Sequence, residues 1–235
     1  MGKDKFLGLQ SELWTDLTRL SSHVYPARVE LFRQGSPADE VYCLDRGLVK
    51  LVRLELDGDE LIVDIGFPGS LLGSASATLQ RPHPVTATAL TECCVRCISA
   101  DIFRQLLRAN AQLSWDLHKI HSEELLDQIV RIAQLGCQSA RCRLERLLWR
   151  FLSVLQPDEW NREARLQLPL RHWEIAQLIA ATPPYLCSLL KELEKDGIVR
   201  RRKGWLIFPD PLKLKASVEL LNRSESRQTK TGRNC

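Results

Sequence analysis

Residues 168–208, LPLRHWEIAQLIAATPPYLCSLLKELEKDGIVRRRKGWLIF, constrain this chain more than any other stretch. Trp173, Ile175, Ala176, Leu178 and Ile179 make one short apolar helix face. Leu186, Leu189, Leu190 and Leu193 make a second, at spacings of three and four. Ala180-Ala181-Thr182-Pro183-Pro184 separates them. Thr182 suits an N-cap, and a proline after it suits the first helical position, where a missing N–H costs nothing. Gly197 reads as the stop. Helix, tight turn and helix is the geometry that lays a second helix in a DNA major groove. Ile198-Val199, then Arg200-Arg201-Arg202-Lys203-Gly204, then Trp205-Leu206-Ile207-Phe208 reads as a hairpin turning at Lys203-Gly204, with four cations at its tip. Such a tip suits phosphate contact, so the whole reads as a winged helix-turn-helix.

Charge is divided accordingly. Residues 1–135 carry 14 Lys+Arg against 18 Asp+Glu, and residues 136–235 carry 19 against 11, so −4 and +8 sum to the net +4. A polyanion partner belongs to the back half. No stretch approaches the roughly 20 apolar residues of a membrane span, and the N-terminus lacks a secretory core. The expectation is a cytoplasmic protein, without membrane association, whose eight cysteines are mostly reduced.

Before the reader, Phe6, Leu9, Leu13, Leu17 and Leu20 share one face of a short helix over 6–22. From 23 to 99, short apolar runs alternate with turn signals such as Arg46-Gly47, Asp57-Gly58 and Pro68-Gly69, which predicts an antiparallel barrel or jelly roll whose last strand covers about 85–98. A short helix follows over 101–108, and then a long one over about 111–135, ended by Gly136. Leu113, Leu117, Ile120, Leu125, Ile129 and Ile132 form a seam of near-heptad spacing along it, the pattern of a dimerisation helix. The expected divisions are 1–108 for a sensor barrel, 109–136 for the dimer helix, 137–221 for the DNA reader and 222–235 for a disordered tail. The fold class is α+β: an N-terminal antiparallel β jelly roll, a long α-helix and a C-terminal winged helix-turn-helix.

That order, together with Leu31-Phe32-Arg33-Gln34-Gly35, Gly47-Leu48-Val49-Lys50, Pro68-Gly69-Ser70-Leu71-Leu72-Gly73, Glu174-Ile175-Ala176 and Leu189-Leu190-Lys191-Glu192-Leu193, resembles the CRP/FNR family of bacterial transcription regulators. The resemblance covers about residues 15–215. It implies a cyclic-nucleotide-binding-like double-stranded β-helix, a homodimer, a two-fold symmetric operator of double-stranded DNA and, for an activator, contact with RNA polymerase. It places a small-molecule effector pocket at Ser70, Leu71, Leu72, Gly73, Ser74, His83, Val85, Thr86 and Gln128.

Two departures stand out. Cyclic-nucleotide binders of the family carry Gly-Glu and then an arginine for the cyclic phosphate. Here Ser74 follows Gly73, and the arginine position falls on Pro84 or Val85, so a bidentate phosphate partner is missing and cyclic AMP or cyclic GMP is not expected. In the recognition helix, the family's Arg-Glu and its later Arg fall on Pro183, Pro184 and Ser188. Arginine reads guanine and glutamate accepts from cytosine, so neither contact is available. DNA contact then rests on Thr182, Pro183, Pro184, Tyr185, Cys187, Ser188 and Lys191, with Arg200, Arg201, Arg202 and Lys203 on phosphates. Either an unusual, partly shape-read operator is recognised, or the chain keeps the architecture as a ligand- or partner-binding protein and no longer reads sequence.

Other chemistry is thin. Residues 1–42 hold no cysteine, so the iron–sulfur site of the FNR branch is absent. Cys93, Cys94 and Cys97 are too few for a closed metal site and alternate across a strand, which leaves core filling or, for Cys94 and Cys187, a redox switch. His118 and His121 share a helix face and could bind metal or haem, and His83 is the other haem candidate. No resident metal is expected and the effector is unassigned. No enzyme signature is present.

Overall fold

The computed structural model describes residues 21–156, 160 and 162–220. The helix expected over 6–22 and the tail from 222 lie outside them, apart from residues 21 and 22. The chain divides into two compact units, one ending at Arg131 and the other starting at Ile132.

The first unit begins with strands β1 (Ser22–Tyr25), β2 (Glu30–Phe32), β3 (Glu40–Arg46), β4 (Val49–Leu54), β5 (Glu60–Gly66) and β6 (Leu71–Leu72). After helix α1 (Ser74–Leu79) come β7 (Thr86–Ala89) and β8 (Cys93–Ser99), then helices α2 (Ala100–Ala109) and α3 (Ala111–Cys137). The strands form two antiparallel sheets in the orders β1-β8-β3-β6 and β2-β7-β4-β5, a jelly roll. The turn signals act as expected: Gly58 adopts φ 90° while Gly58 N–H donates to Glu55 at 3.0 Å and Glu55 N–H to Asp59 at 2.9 Å, closing β4 onto β5. The single strand expected over 85–98 is two strands with a turn between them. Between the sheets, Leu31, Phe32, Tyr42, Leu44, Val49, Leu72, Cys93 and Val95 pack into one core cluster. Val41, Cys43, Leu71 and Ile98 form another with Phe103 of α2 and with Leu113 and Leu117 of α3.

That second cluster corrects the expected dimer seam. Leu113 is 1% and Leu117 5% exposed, and Ile120 packs against the same cluster. The first half of α3 therefore covers the barrel, because burying these side chains there stabilises by about 2 kcal/mol each. Leu125, Ile129 and Ile132 remain exposed, joined by Leu126, Val130 and Leu135. Gly136 does not end α3. It lies within the helix, which stops at Cys137 because Ser139 caps the next one by accepting the Cys142 N–H at 3.3 Å.

The second unit contains α4 (Ala140–Leu155), β9 (Ala164–Leu166), α5 (His172–Leu178), α6 (Pro183–Lys195), β10 (Arg200–Arg202), β11 (Trp205–Phe208) and a last helix over 211–220. The three strands pair in the order β10-β11-β9. Leu144, Leu148, Phe151 and Leu152 of α4 are buried, as are Leu186, Leu189, Leu190 and Leu193 of α6. The wing differs from its expected form in two ways. Residues 164–166 add a third strand, paired antiparallel with β11. The cations are not a tip: Arg200, Arg201 and Arg202 are the strand itself, and only Lys203 and Gly204 turn, at φ 48° and 83°. Positive φ at both central residues matches the twist of a two-residue hairpin.

Candidate nucleic-acid interface and effector pocket

Helix α6 buries its leucine stripe and leaves Thr182, Pro183, Pro184, Tyr185, Ser188 and Lys191 exposed, with Cys187 half-buried. Thr182 is the N-cap residue, but its side chain makes no capping hydrogen bond. Prolines at the first two helical positions remove two of the free N–H groups that a helix N-terminus ordinarily offers to phosphate. The Ser188 hydroxyl donates back to the Pro184 carbonyl at 3.3 Å. The helix thus presents fewer base-reading groups than its sequence suggests.

The turn before α6 is held from outside. Ala180 takes φ 48°, a left-handed conformation that costs a non-glycine residue about 1 kcal/mol. Its N–H donates to Gln177 at 3.0 Å, and the Ala181 N–H donates to Ala176 at 2.9 Å. The Arg143 guanidinium donates to the Ile179 carbonyl at 2.8 Å and to Gln134 at 3.3 Å, with Gln138 as a further acceptor. One cation therefore satisfies the last carbonyls of α3 and those of the reader turn together. Arg141 holds the other end of α6, pairing with Asp196 at 2.6 Å and with buried Glu145 at 2.9 Å. Glu145 also accepts from the Ser217 hydroxyl at 2.6 Å.

Alternation along β10 separates the wing cations. Glu194 of α6 accepts the Arg201 N–H at 2.9 Å and the Arg201 guanidinium at 2.6 Å, and this pair holds the Glu194 carboxyl below its ordinary range. Arg201 is thus turned inward, contrary to its expected place on phosphates. Arg200, Arg202 and Lys203 have no side-chain hydrogen bond or ion pair among the described residues.

In the barrel, residues 70–86 are largely engaged with the protein. Leu71 and Leu72 fill the two core clusters rather than lining a pocket. The Ser70 hydroxyl accepts the Phe67 N–H at 3.1 Å, and the Thr86 hydroxyl accepts the Gln34 N–H at 3.0 Å. Ser74, 2% exposed, donates to the Leu71 carbonyl at 3.0 Å and contacts His121 Nε2 at 3.0 Å. His83 is 3% exposed and stacked on Phe32 at 3.8 Å between ring centroids. Its Nδ1 is buried without a hydrogen-bond partner among the described residues. A Cβ on Gly73 would stand 3.0 Å from the His83 ring, so that ring lies directly on the 73–74 turn. Val85 is half-buried beside the same cluster. Gln128 does not reach this turn. It is exposed and donates to Asp64 of β5 at 3.4 Å, and Arg131 pairs with Asp64 at 2.8 Å. The contact of α3 with the turn is His121, which spacing had paired with His118. His118 instead stacks on Trp115 at 5.5 Å. Two isolated histidines gave no signal for that placement. Among the described residues no three His, Cys, Asp or Glu side chains converge for a metal ion, and no helix is long and apolar enough to cross a membrane.

Comparison with known proteins completes the picture. Residues 22–110 match the model of the cyclic nucleotide-binding domain, and residues 142–217 match the Crp-like helix-turn-helix domain. The chain belongs to the CRP/FNR family of transcription regulators. Members of this family are DNA-binding regulators rather than enzymes. The CRP-like protein Clp of Xanthomonas euvesicatoria is 26% identical over 186 residues, covering 76% of this chain and 79% of the relative. The structure of FixK2 from Bradyrhizobium japonicum superposes with a TM-score of 0.72 at 20% identity, covering 84% of this chain and 96% of that one. The c-di-GMP responsive global regulator CLP of Xanthomonas campestris superposes with a TM-score of 0.65 at 23% identity, covering 82% and 95%.

For a CRP/FNR regulator the histidines at the 73–74 turn have a measurable consequence. Burial pushes the His83 imidazole below its ordinary value of 6.5, with Asp39 opposing. Burial and then the neighbouring His118 push His121 down as well. The unfolded chain therefore takes up protons before the folded one as pH falls, so stability declines below about pH 6.5 until the depressed folded values are passed. The melting temperature of the protein is expected to drop between about pH 7.5 and 5.5, with a shallower dependence in His83→Phe and in His121→Gln. An unchanged slope in both variants would contradict this reading.

Proposed function

We propose that this CRP/FNR regulator acts as a cytoplasmic homodimer that binds a two-fold symmetric operator and responds to an effector other than cyclic AMP or cyclic GMP. The observation that carries the DNA half is the set of unpaired cations Arg200, Arg202 and Lys203 on the wing, together with the exposed residues of α6. With Lys191 they supply the positive charge of the DNA interface, and Tyr185 and Ser188 face bases. The stripe Leu125, Leu126, Ile129, Val130, Ile132 and Leu135 supplies the dimer face.

The effector half rests on the turn at 73–74. A cyclic nucleotide requires an acceptor for the ribose hydroxyl and a guanidinium for the phosphate. The first position holds Ser74, already bonded to Leu71 and His121, and the second holds Pro84 or Val85. His83 lies against the 73–74 turn, stacked on Phe32, and burial lowers its pKa and so disfavours the charged imidazolium that could pair with an anion. These groups do not fit cyclic AMP or cyclic GMP.

Binding to duplex DNA across a salt series tests the DNA half. Replacing both Arg200 and Arg202 by alanine is expected to lower the slope of log affinity against log salt by about two units. Arg201→Ala is expected to change it by much less than one unit, since Glu194 already neutralises that charge. Equal slope losses for Arg201→Ala and Arg202→Ala would contradict the assignment.

A further inference from the structure

We infer that the wing carries a second DNA-reading element, in which Arg202 enters a minor groove beside Trp205 and selects A·T-rich DNA by groove width. The inference rests on the DNA-binding function proposed above and assigns part of its specificity.

Cross-strand partners on an antiparallel pair lie on one face. The registers Arg202↔Trp205 and Arg200↔Ile207 therefore place these four residues together, and Arg201↔Leu206 on the other face. The second face is the inner one, because Arg201 ends on Glu194 of α6. The outer face is thus cationic and aromatic. Trp205 is 41% exposed, and neither its indole N–H nor the Arg202 guanidinium has a hydrogen-bond partner among the described residues. The third strand adds Arg165 on this face, which Glu163 already neutralises at 3.0 Å. Arg202 is the free guanidinium next to the two-residue turn at Lys203 and Gly204.

Helix α6 bears no arginine, and its first turn is Pro183-Pro184-Tyr185. Discrimination between bases must then draw on other groups or on DNA shape. A narrow A·T minor groove concentrates negative potential and attracts arginine, which sheds water more readily than lysine does. The guanine 2-amino group both widens that groove and obstructs it. An exposed ring beside the guanidinium has apolar surface to place against the sugars that wall the groove.

The test uses full-length protein and three alternating duplexes of equal length, made of A·T, G·C or inosine·C pairs. Inosine lacks the 2-amino group, so inosine·C keeps the major-groove pattern of G·C and presents a minor groove like that of A·T. The wild type is expected to bind A·T and inosine·C alike and G·C on the order of fivefold more weakly. Arg202→Lys, which keeps the charge, is expected to abolish that difference, while Arg200→Lys leaves it in place. Inosine·C binding as weakly as G·C, equal binding to all three duplexes, or a full A·T preference in Arg202→Lys would each overturn the inference. Absence of binding to any duplex would instead overturn the DNA-binding function on which it rests.

Discussion

Replacing Ile129 and Ile132 together by glutamate is expected to convert the protein to a monomer and to lower affinity for a two-fold operator by about 100-fold or more. Both side chains are exposed on the second half of α3, within a stripe that also holds Leu125, Leu126, Val130 and Leu135. Each such side chain contributes roughly 2 kcal/mol when buried against a partner helix. A glutamate in the seam replaces that gain with the cost of burying a charge, and the two-fold symmetry of a dimer doubles it. A monomer engages one half-site and loses the effective concentration that a linked second reader provides. Sedimentation and operator titration read both effects. Leu113→Ala separates the two halves of the helix. It removes a barrel core residue and is expected to lower stability by about 2–5 kcal/mol while the folded fraction still associates. A dimeric Ile129→Glu/Ile132→Glu protein would remove α3 from the interface.

Gly47→Ala is expected to be the most damaging single change in the barrel. Gly47 turns the chain between β3 and β4 at φ 95°. A Cβ there would stand 2.5 Å from the Glu92 carbonyl oxygen and 2.8 Å from Cys93 Cα. Both of these atoms are backbone, so no side-chain rotation relieves the contact. The neighbouring bonds make the turn harder to move: Leu48 N–H donates to the Thr91 hydroxyl at 3.0 Å, and Leu90 N–H donates to the Leu48 carbonyl at 2.7 Å. Left-handed strain and the clash together are expected to cost about 3–5 kcal/mol. Gly58→Ala is the control. Gly58 has φ 90° but open space around it, so only about 1 kcal/mol is expected. Denaturant midpoints measure the difference, and equal losses at the two glycines would show that the contact with residues 92 and 93 is not tight.

These two cases show where sequence pattern carries information and where it stops. Short-range signals are legible: Asp57-Gly58 closes a hairpin, and the leucines of α6 at spacings of three and four are buried as a stripe. The near-heptad run on α3 was legible as apolar, but not as divided. Leu113 and Leu117 differ from Leu125 and Ile129 only in what stands opposite them, and periodicity does not encode that. The arginine run in the wing misled for a related reason. A strand alternates its side chains, so three adjacent arginines have two different environments, and the partner of Arg201 is Glu194, seven residues earlier on another element. At the barrel turn, the missing glutamate and arginine were visible as departures, whereas the packing of His83 on Phe32 and the contact of Ser74 with His121 depend on pairs separated by 51 and 47 positions. The helix expected over 6–22 lies outside the described residues.

Selection of bound sequences from random duplex DNA by the purified protein, at near-physiological salt, tests the central claim most directly. A two-fold symmetric motif is predicted, its half-sites centred about 34 Å apart along the helix axis, as two copies of α6 entering successive major grooves require. Enrichment of no motif, with binding that is uniform across sequences, would contradict it and would leave a protein that keeps the regulator architecture without reading DNA sequence.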